Sequence, residues 1–303
     1  MTSLRCDAEQ RQRWVELRER LAGADEPERA ALLARTATRT RRQVVEMITA
    51  AQAGHIGGDF SVTDILTVLF HGVLEIDPAR PDWPDRDHFI LSKGHCAASL
   101  YATLASCGYF SPKELPTFMA PLSPLNGHPN RTKVPGVETN TGPLGHGLPV
   151  GVGTALGIRL VGRNSRVVVV LGDGEMQEGS NWEALMAASH HRLDHLMIVI
   201  DRNRLQQGAR TEETNRLDPL DARLAAFGWE VRTVDGHDHV ALDAALRPVG
   251  TDAPVAVIAN TIKGKGVSFI EDRVEWHHKV PDRDQVEAAL AELIIDEPSG
   301  VGA

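Results

Sequence analysis

The sequence predicts an α/β fold in which a mainly parallel sheet is covered by helices on both faces. Two hydrophobic runs of strand length, Val167 to Leu171 and Leu196 to Ile200, are separated by a segment of helical character. Each run leads directly into a polar turn, Gly172-Asp173-Gly174 in the first case and Asp201-Arg202-Asn203 in the second. Further buried strands are predicted at 89–91, 230–234 and 255–259. Strands that alternate with helices form parallel sheets through crossover connections, so both faces of this sheet require cover.

Helical segments precede the first predicted strand. Residues 7–22 are charged and helical in character, a break follows at Gly23 to Pro27, and a second helical stretch runs to about Ala53. We expect residues 1–35 to form a helical N-terminal extension and residues 36–297 to form one α/β domain. The tail, residues 298–303, is expected to be disordered.

Four further helices and one long loop complete the expected organisation. The helices are predicted at Val62 to Phe70 with Ser61 as the N-cap, at Ala97 to Cys107, after Gly147, and at Gln285 to Leu293. The section from 112 to 140 is irregular, and loops of that length in compact domains are usually functional.

The composition is typical of an ordinary soluble globular protein. Of the 303 residues, 42% are hydrophobic and 24% are charged, and the net charge of −9 disfavours nucleic acid or an anionic membrane as the main partner. The three cysteines lack metal-binding spacing and are expected to be free thiols in a reducing compartment. No apolar run approaches the length of a membrane span, and the first residues lack a signal-peptide pattern. We therefore expect a cytoplasmic protein.

The two polar turns predict a metal site. Asp173 and Asn203 follow neighbouring strands, and the carboxyl ends of parallel strands meet at the edge of the sheet where ligands bind. A carboxylate, a carboxamide and the main-chain carbonyl of Leu205 are oxygen ligands suited to Mg²⁺, or to Ca²⁺ or Mn²⁺, with phosphate oxygens completing the coordination. The pattern from Ser180 to Glu183 predicts a capping box that opens a helix beside the phosphates.

A glycine-rich turn precedes this region. Glycines recur from Gly142 to Gly153, but their spacing is not that of a dinucleotide-binding loop and no predicted strand leads into them. The sequence therefore favours a tight turn at a helix start, which carries the backbone past a cofactor, over a dehydrogenase fingerprint.

Several histidines lie in loops beside glycine, proline or tryptophan. Without metal-ligand spacing, they are expected to form a dispersed pocket of imidazoles that binds hydroxyls and phosphates and moves protons near neutral pH. They are His55, His95, His128, His146 and His277. In contrast, His190, His191 and His237 are expected to be structural or solvated.

Taken together, these motifs resemble a known family. Asp173 and Asn203, thirty positions apart, resemble the metal-binding pair of the thiamine diphosphate motif. The matching segments, in family order, are Gly54-His55, Leu91 to His95, Gly127 to Pro129, Thr141 to Gly145, Gly172 to Gly179, and Lys263 to His277. Over roughly residues 40 to 282 the chain resembles transketolase, specifically the separately encoded N-terminal subunit of two-chain transketolases.

The resemblance implies a role for each matching residue. Asp173, Asn203 and the Leu205 carbonyl would bind the metal, and Glu178 would lie at a subunit interface. The cofactor, thiamine diphosphate, would contact Gly142, Leu144, Gly174, Glu175 and Asn203, together with His95 and His277. His55 and His128 would hold the hydroxyls of the donor sugar, and all four histidines would take part in catalysis. The implied reaction transfers a two-carbon ketol unit from a ketose phosphate to an aldose.

The resemblance also implies a partner. The family's pyrimidine-binding domain has no counterpart in this sequence, so we expect a C-terminal subunit that carries it, in an α₂β₂ assembly. Two residues depart from the family pattern: His146 replaces a glutamine, and Asp59 stands where a small residue is usual beside the donor pocket. The hypothesis is that Asp59 shifts specificity away from the central pentose-phosphate sugars.

Three alternatives remain open from the sequence. The chain could be the α subunit of a 2-oxo-acid dehydrogenase, although the histidine set and Trp182-Glu183-Ala184 favour transketolase. It could belong to a two-chain relative that passes a two-carbon unit to a carrier protein. From a different class, it could be a non-catalytic scaffold that keeps the cofactor fold.

Overall fold

The computed structural model describes residues 3–247, 250 and 252–295. A five-stranded parallel sheet has the strand order β1-β2-β3-β5-β4. Its strands are β1 (His88–Leu91), β2 (Val167–Gly172), β3 (Leu196–Arg202), β4 (Glu230–Asp235) and β5 (Val255–Asn260). The α-helices are α1 (Ala8–Gly23), α2 (Glu26–Ala51), α3 (Ile56–Val68), α4 (Ala97–Cys107), α5 (Gly147–Leu160), α6 (Gly179–His190), α7 (Thr211–Thr214), α8 (Leu220–Ala226), α9 (His239–Leu246) and α10 (Arg283–Glu292). The predicted fold class and the five predicted strand positions are confirmed.

The sheet is covered on both faces because its strands are hydrophobic on both sides. Alternate residues of a strand point to opposite faces. Val168 and Val170 of β2 belong to one core, which contains α1 to α4, α9 and α10. Val167 and Val169 belong to a second core beneath α5, α6 and α8. This double cover explains why the strands read as continuous apolar runs.

The two N-terminal helices pack on the rest of the chain. Trp14 of α1 is buried, and its indole Nε1–H donates a hydrogen bond to Phe70 O at 3.1 Å. The proposed domain boundary at residue 35 falls inside α2, which continues to Ala51 without interruption. The tail expected to be disordered, 298–303, lies outside the described residues.

One predicted helix start is wrong. Helix α3 begins at Ile56 rather than after Ser61, and Ser61 is fully buried within it. Its hydroxyl donates to Asp201 Oδ2 at 2.6 Å instead of capping a helix. Because all thirteen residues of α3 are buried, no amphipathic pattern in the sequence marks where the helix begins.

A second predicted cap is also wrong. Helix α6 begins at Gly179 with Glu178 as its N-cap residue, and Ser180 lies in the first turn. The Ser180 hydroxyl donates to Gly145 O at 2.7 Å. The hydroxyl that a capping box would use at the helix N-terminus therefore binds a residue of another loop.

Close packing of α5 on β2 depends on Gly151, and this dependence can be tested. A Cβ at Gly151 would lie 2.6 Å from Val169 Cγ2, so Gly151→Val should destabilise the protein by about 1–3 kcal/mol through overpacking. In the same helix a Cβ at Gly157 meets nothing within 4 Å, and Gly157→Ala should stabilise by about 0.5–1 kcal/mol. Urea denaturation measures both changes, and equal effects of the two variants would contradict this packing.

Candidate active site

The candidate site lies where the carboxyl ends of β1, β2, β3 and β5 meet. Because β2 and β3 pair with Gly172 opposite Asp201, the turns that follow them are adjacent, and Asp173 N donates to Asp201 O at 3.3 Å. Asp173 and Asn203 therefore come together as the sequence predicted. Two lysines, Lys93 after β1 and Lys263 after β5, complete this edge of the sheet.

Asp173 is nearly fully buried, and protein donors orient both of its carboxylate oxygens. Oδ2 accepts from Arg204 N at 2.7 Å and from the Thr211 hydroxyl at 3.2 Å, while Oδ1 accepts from Gly174 N at 2.8 Å. Burial, followed by the nearby charge of Asp201, raises the pKa of Asp173 to about 6. A cation at this carboxylate would favour its ionised form.

The carboxamide of Asn203 is oriented by its neighbours. Its Nδ2 donates to Ser61 Oγ at 3.3 Å, and its Oδ1 accepts from Leu205 N at 3.1 Å. An amide oxygen has two lone pairs, so Asn203 Oδ1 retains acceptor capacity for a cation. The Leu205 carbonyl lies in the same turn as Asn203. The Asp173 carboxylate, Asn203 Oδ1 and the Leu205 carbonyl together form a set of three oxygen donors.

A buried ammonium lies beside these oxygens. Lys263 is 2% exposed, and its Nζ is 3.3 Å from Leu205 O and 2.7 Å from His277 Nδ1. Within the described residues no carboxylate lies within ion-pair distance of it. Burial, followed by the charge of Lys93, lowers its pKa to about 8. A buried cation without an anionic partner is costly, so this site favours an anionic ligand.

The second lysine is neutralised within the protein. Lys93 pairs with Asp201, which is fully buried at the end of β3 and also accepts hydrogen bonds from Ser61 and Thr261. Burial alone would lower the pKa of Lys93, but Asp201 and Cys96 outweigh it and the pKa is raised. Through Ser61, which holds the Asn203 amide, this ion pair also sets the orientation of a predicted metal ligand.

Glu175 joins three turns around the site. Its Oε1 accepts from the Ser92 hydroxyl and from Gly145 N at 2.9 Å, and its Oε2 accepts from Gly172 N at 3.1 Å. Glu175 is nearly fully buried. With both oxygens engaged by protein donors, it acts on the site through the turns it holds.

The predicted glycine turn lies at the rim of the site. Gly142 is exposed and has a φ of +149°, and a Cβ there would meet nothing within 4 Å, while Leu144 is 38% exposed. A Cβ at Gly174 would lie 3.1 Å from Gln206 Cβ, and the buried Oε1 of Gln206 has no hydrogen-bond partner among the described residues. Exposed apolar surface together with unpartnered polar groups is typical of a ligand-binding cleft.

Three of the four predicted catalytic histidines form one cluster. The ring centroid of His55 lies 5.2 Å from that of His95 and 5.5 Å from that of His277. The sequence reasoning missed a fourth member, His278, whose centroid is 4.7 Å from His55. His128 contacts Thr141 instead, with its Nδ1 at 3.2 Å from Thr141 Oγ1.

The four predicted catalytic histidines, His55, His95, His128 and His277, are held in the neutral form. Burial, followed by the charge of His278, lowers the pKa of His55 to about 4, and burial followed by the charge of Lys263 lowers that of His277 to about 3. Burial is also the leading reason why the pKa values of His95 and His128 lie below the usual range. At neutral pH these imidazoles can therefore both donate and accept hydrogen bonds.

The carboxyl group of Asp59 is held by the N-terminus of α4. Asp59 is fully buried in α3, and its Oδ1 accepts from Ser99 N at 2.8 Å, in the first turn of α4. The effect of Asp59 on specificity stays a prediction. His146, the other departure, is exposed, with its Nδ1 3.0 Å from Leu144 O.

The donor set fits a metal bound together with a phosphate. No group of three or more His, Cys, Asp or Glu side chains in the described ranges could hold a metal ion. Asp173 is thus the one carboxylate in a set otherwise made of an amide and a carbonyl oxygen. Mg²⁺ is commonly bound in this way, through one or two carboxylates and the phosphates of its ligand. The unpaired Lys263 ammonium fits the same phosphates.

The buried ion pair generates a stability prediction. Asp201→Asn leaves the Lys93 ammonium buried without a carboxylate, so the free energy of unfolding should fall by about 3–5 kcal/mol. Adding Lys93→Met to Asp201→Asn should restore part of the loss, because the uncompensated charge is then gone. Chemical denaturation measures both variants, and a double variant no more stable than Asp201→Asn would contradict the proposed role of the pair.

A pH prediction follows from Asp59, whose Oδ2 has no partner among the described residues. Burial raises its pKa from about 3.8 to about 7, so the folded protein keeps a proton between these pH values that the unfolded chain has released. The stability that this retained proton on Asp59 confers is therefore lost as pH rises from about 3.8 to about 7, at up to about 1.4 kcal/mol per pH unit.

Asp59→Asn removes this titration. The unfolding free energy of the variant minus that of the native protein should rise from pH 4 to pH 7 and stay level above it. Urea denaturation across this range measures the difference, with Asp221→Asn, an exposed carboxylate in α8, as the control. A difference that is independent of pH would overturn the assignment.

Comparisons with known proteins agree with this geometry. Residues 33–299 match the family model described as the thiamine diphosphate binding domain of transketolase. The chain is 46% identical over 263 residues to one subunit of the apulose-4-phosphate transketolase of Actinobacillus succinogenes, covering 86% of this chain and 95% of that protein. It is 39% identical to the 6-deoxy-6-sulfo-D-fructose transketolase subunit SqwG of a Clostridium species, covering 84% and 93% of the two chains.

Longer transketolases match over part of their length. Human transketolase is 37% identical over 85% of this chain, which spans 41% of the human protein. The solved structure of transketolase from Campylobacter jejuni superposes with a TM-score of 0.81 at 30% identity, covering 86% of this chain and 42% of that one. The chain belongs to the transketolase family, of which it carries the thiamine diphosphate-binding domain.

Proposed function

We propose that this chain is the cofactor-binding subunit of a two-chain transketolase that uses thiamine diphosphate and Mg²⁺ and acts with a separate partner subunit. The observation that carries the proposal is the set of oxygens from Asp173, Asn203 and Leu205 beside the unpaired Lys263 ammonium. A carboxylate beside an ammonium that lacks a carboxylate partner in the described chain suits a metal–diphosphate pair better than either ion alone.

The protein's contribution begins with binding. Asp173, Asn203 and the Leu205 carbonyl would hold Mg²⁺, while the Gly174 backbone, Asn203 and Lys263 would face the diphosphate. Gly142 and Leu144 would lie against the ring system of the cofactor. Glu175 would support the site indirectly, because it fixes the turns that carry Gly145 and Gly172.

Thiamine diphosphate supplies the electron sink for carbon–carbon bond cleavage in a ketose. The neutral imidazoles of His55, His95 and His277 would bind the sugar hydroxyls and move protons between them, as would His128 from the opposite loop. General acid–base groups must accept or release protons at the working pH. Because these four side chains are neutral at pH 7, each can begin a cycle as a proton acceptor.

Phosphorylated or otherwise anionic ketoses are the proposed donors. The names of two relatives state that they act on apulose 4-phosphate and on 6-deoxy-6-sulfo-D-fructose, both of which carry an anionic group. The contacts of Asp59 give no support for a direct effect on this choice, since its side chain is fully buried.

The partner is proposed to be a C-terminal subunit with a pyrimidine-binding domain, in an α₂β₂ assembly. Two relatives are named as one of the subunits of an apulose-4-phosphate transketolase, and the chain spans about two-fifths of the single-chain transketolases. Around α5 and α6 the exposed residues include Leu144, Val150, Met186 and, between them, Glu178. Exposed apolar side chains on adjacent helices are typical of an interface, so we place the subunit contact, including Glu178, on this surface.

The described part of the chain contains no helix with the length and hydrophobicity that a membrane crossing requires. All three cysteines, Cys6, Cys96 and Cys107, are free thiols as expected. A reducing compartment keeps thiols free, and this supports the proposal that the enzyme is cytoplasmic.

The test combines reconstitution with substitution at the metal site. Ketol transfer from a ketose phosphate should require this chain, a partner with a pyrimidine-binding domain, thiamine diphosphate and Mg²⁺ together. Asp173→Asn should weaken binding of the Mg²⁺–cofactor pair by roughly 100-fold, as measured by calorimetry, since even outer partners of metal ligands account for about 10- to 100-fold. Asp221→Asn, the exposed carboxylate of α8, should leave binding unchanged.

Three results would contradict the proposal. Transfer by the chain alone, in a sample free of any partner, would remove the need for a second subunit. Full cofactor affinity in Asp173→Asn would contradict the assignment of Asp173 as a metal ligand. Cofactor binding by an assembly that decarboxylates 2-oxo acids or loads a carrier protein, yet transfers no ketol unit to an aldose, would replace the reaction.

A further inference from the structure

The turn after β5 delivers Lys263 to the site, and one of its main-chain groups is held by a side chain from a distant loop. Ile262 N donates a hydrogen bond to His237 Nε2 at 2.7 Å. His237 lies between β4 and α9, and no motif in the sequence connects it with the site. The side chain of Ile262 is 36% exposed, so its burial does little to fix this residue.

The neighbouring residues of the turn are each tied to a different element. Their contacts are Thr261 Oγ1 to Asp201, Lys263 Nζ to Leu205 O, and Gly264 N to Gly57 O at 2.9 Å. In this series of contacts the Ile262–His237 bond is the one that reaches the β4–α9 loop. Without it, the Ile262 N–H loses its partner, and the residue directly before Lys263 keeps only the hydrogen bond that its carbonyl accepts from Lys265 N at 3.2 Å within the turn.

The hydrogen bonds define the state of the His237 ring. Since Nε2 accepts from a main-chain N–H, the ring proton is on Nδ1, which donates to Asp64 Oδ2 at 2.7 Å. Asp64 is itself fixed by two hydrogen bonds from the buried Arg41 guanidinium, at 3.1 and 2.6 Å. The ion pair between Arg41 of α2 and Asp64 of α3 therefore orients the imidazole through its Nδ1, and its acceptor nitrogen Nε2 faces the turn.

Gly236 allows the two loops to approach. A Cβ at this position would lie 2.4 Å from Thr261 Cγ2 and 3.1 Å from Asn260 O. A larger residue would push the β4–α9 loop away from the turn and lengthen the His237 hydrogen bond. Gly236 and His237 thus act as a unit: the glycine permits the contact and the imidazole makes it.

We propose that His237 is a positioning residue for cofactor binding, a neutral imidazole that is oriented by Asp64 and anchors Ile262, and thereby Lys263, at the diphosphate position. The inference rests on the proposed function, because it assigns Lys263 to the diphosphate. It requires no direct contact between His237 and the cofactor.

Two substitutions at His237 separate its two hydrogen bonds. In His237→Asn, the amide nitrogen can still donate to Asp64, but the side chain is too short to reach Ile262. In His237→Gln, the amide oxygen takes the place of Nε2 and can accept from Ile262. His239 provides the matched control, since its Nε2 lies 3.1 Å from Oδ1 of the same Asp64 carboxylate but it has no hydrogen bond to the turn after β5 among the described residues.

The experiment measures cofactor affinity by calorimetry on the purified two-subunit assembly in Mg²⁺. The dissociation constant for thiamine diphosphate should rise about 5- to 10-fold in His237→Asn, the range of a lost hydrogen bond or outer partner. It should stay within about 2-fold of native in His237→Gln and His239→Asn. At saturating cofactor, kcat should be close to native in all three variants, because the substitutions remove positioning and leave the reacting groups in place.

Hydrogen exchange of the Ile262 amide gives a second readout. In the native assembly, cofactor binding should slow this exchange, and His237→Asn should accelerate it where His237→Gln does not. The measurement on the native assembly remains valid even if His237→Asn fails to fold. If cofactor binding does not slow exchange of the Ile262 amide in the native assembly, the inference is overturned. Unchanged affinity in a folded His237→Asn assembly would also overturn it.

The two proposals fail in different ways. A native assembly that binds no thiamine diphosphate contradicts the proposed function and, with it, this role of His237. A native assembly that binds the cofactor normally, with His237→Asn indistinguishable from it, contradicts the positioning role alone.

Discussion

The buried ion pair between Lys93 and Asp201 is the interaction on which the site depends. Asp201 lies at the end of the central strand β3. Its carboxylate contacts Ser61 of α3, Lys93 after β1 and Thr261 in the turn after β5. A charge so deeply buried is tolerated only with a partner and further hydrogen bonds. Satisfying Asp201 therefore fixes the relative positions of the elements that carry the metal ligands and the histidines.

The two lysines of the site have different electrostatic functions. Lys93 is neutralised within the chain, whereas Lys263 has only a carbonyl oxygen and an imidazole as neighbours in the described structure. Burial lowers the pKa of His277, and the unpaired charge of Lys263 lowers it further. The same charge thus prepares the site for an anion and keeps the adjacent histidine neutral, which links cofactor binding to the protonation state required for proton transfer.

The sequence predicted the parts of the site that follow from strand periodicity. Asp173 and Asn203 directly follow buried strands, so parallel pairing brings them together with no further information. The histidine cluster was predicted only as a set of loop residues, because nothing in the local sequence fixes distances between loops. His278 was missed because the family motif stops at His277, although two consecutive histidines after Trp276 were a usable signal.

The residues that the sequence reasoning missed depend on tertiary partners. Asp201 looked like part of a polar turn, but it is a strand residue whose burial is possible only because Lys93 lies opposite. His237 was expected to be structural or solvated, and its contact with the turn could not be predicted because its two partners, Asp64 and Ile262, are distant in sequence. Ser180 fitted a capping box locally, yet the Gly145 turn competes for its hydroxyl.

The most direct test of this account is to locate the metal. A crystal structure of the two-subunit assembly grown with thiamine diphosphate and Mn²⁺ in place of Mg²⁺ would show the ion by its anomalous scattering. We predict a single peak in this subunit, coordinated by Asp173, Asn203 and the Leu205 carbonyl, with the Lys263 ammonium on a phosphate oxygen. A peak elsewhere, or a bound cofactor whose diphosphate does not meet Lys263, would contradict it.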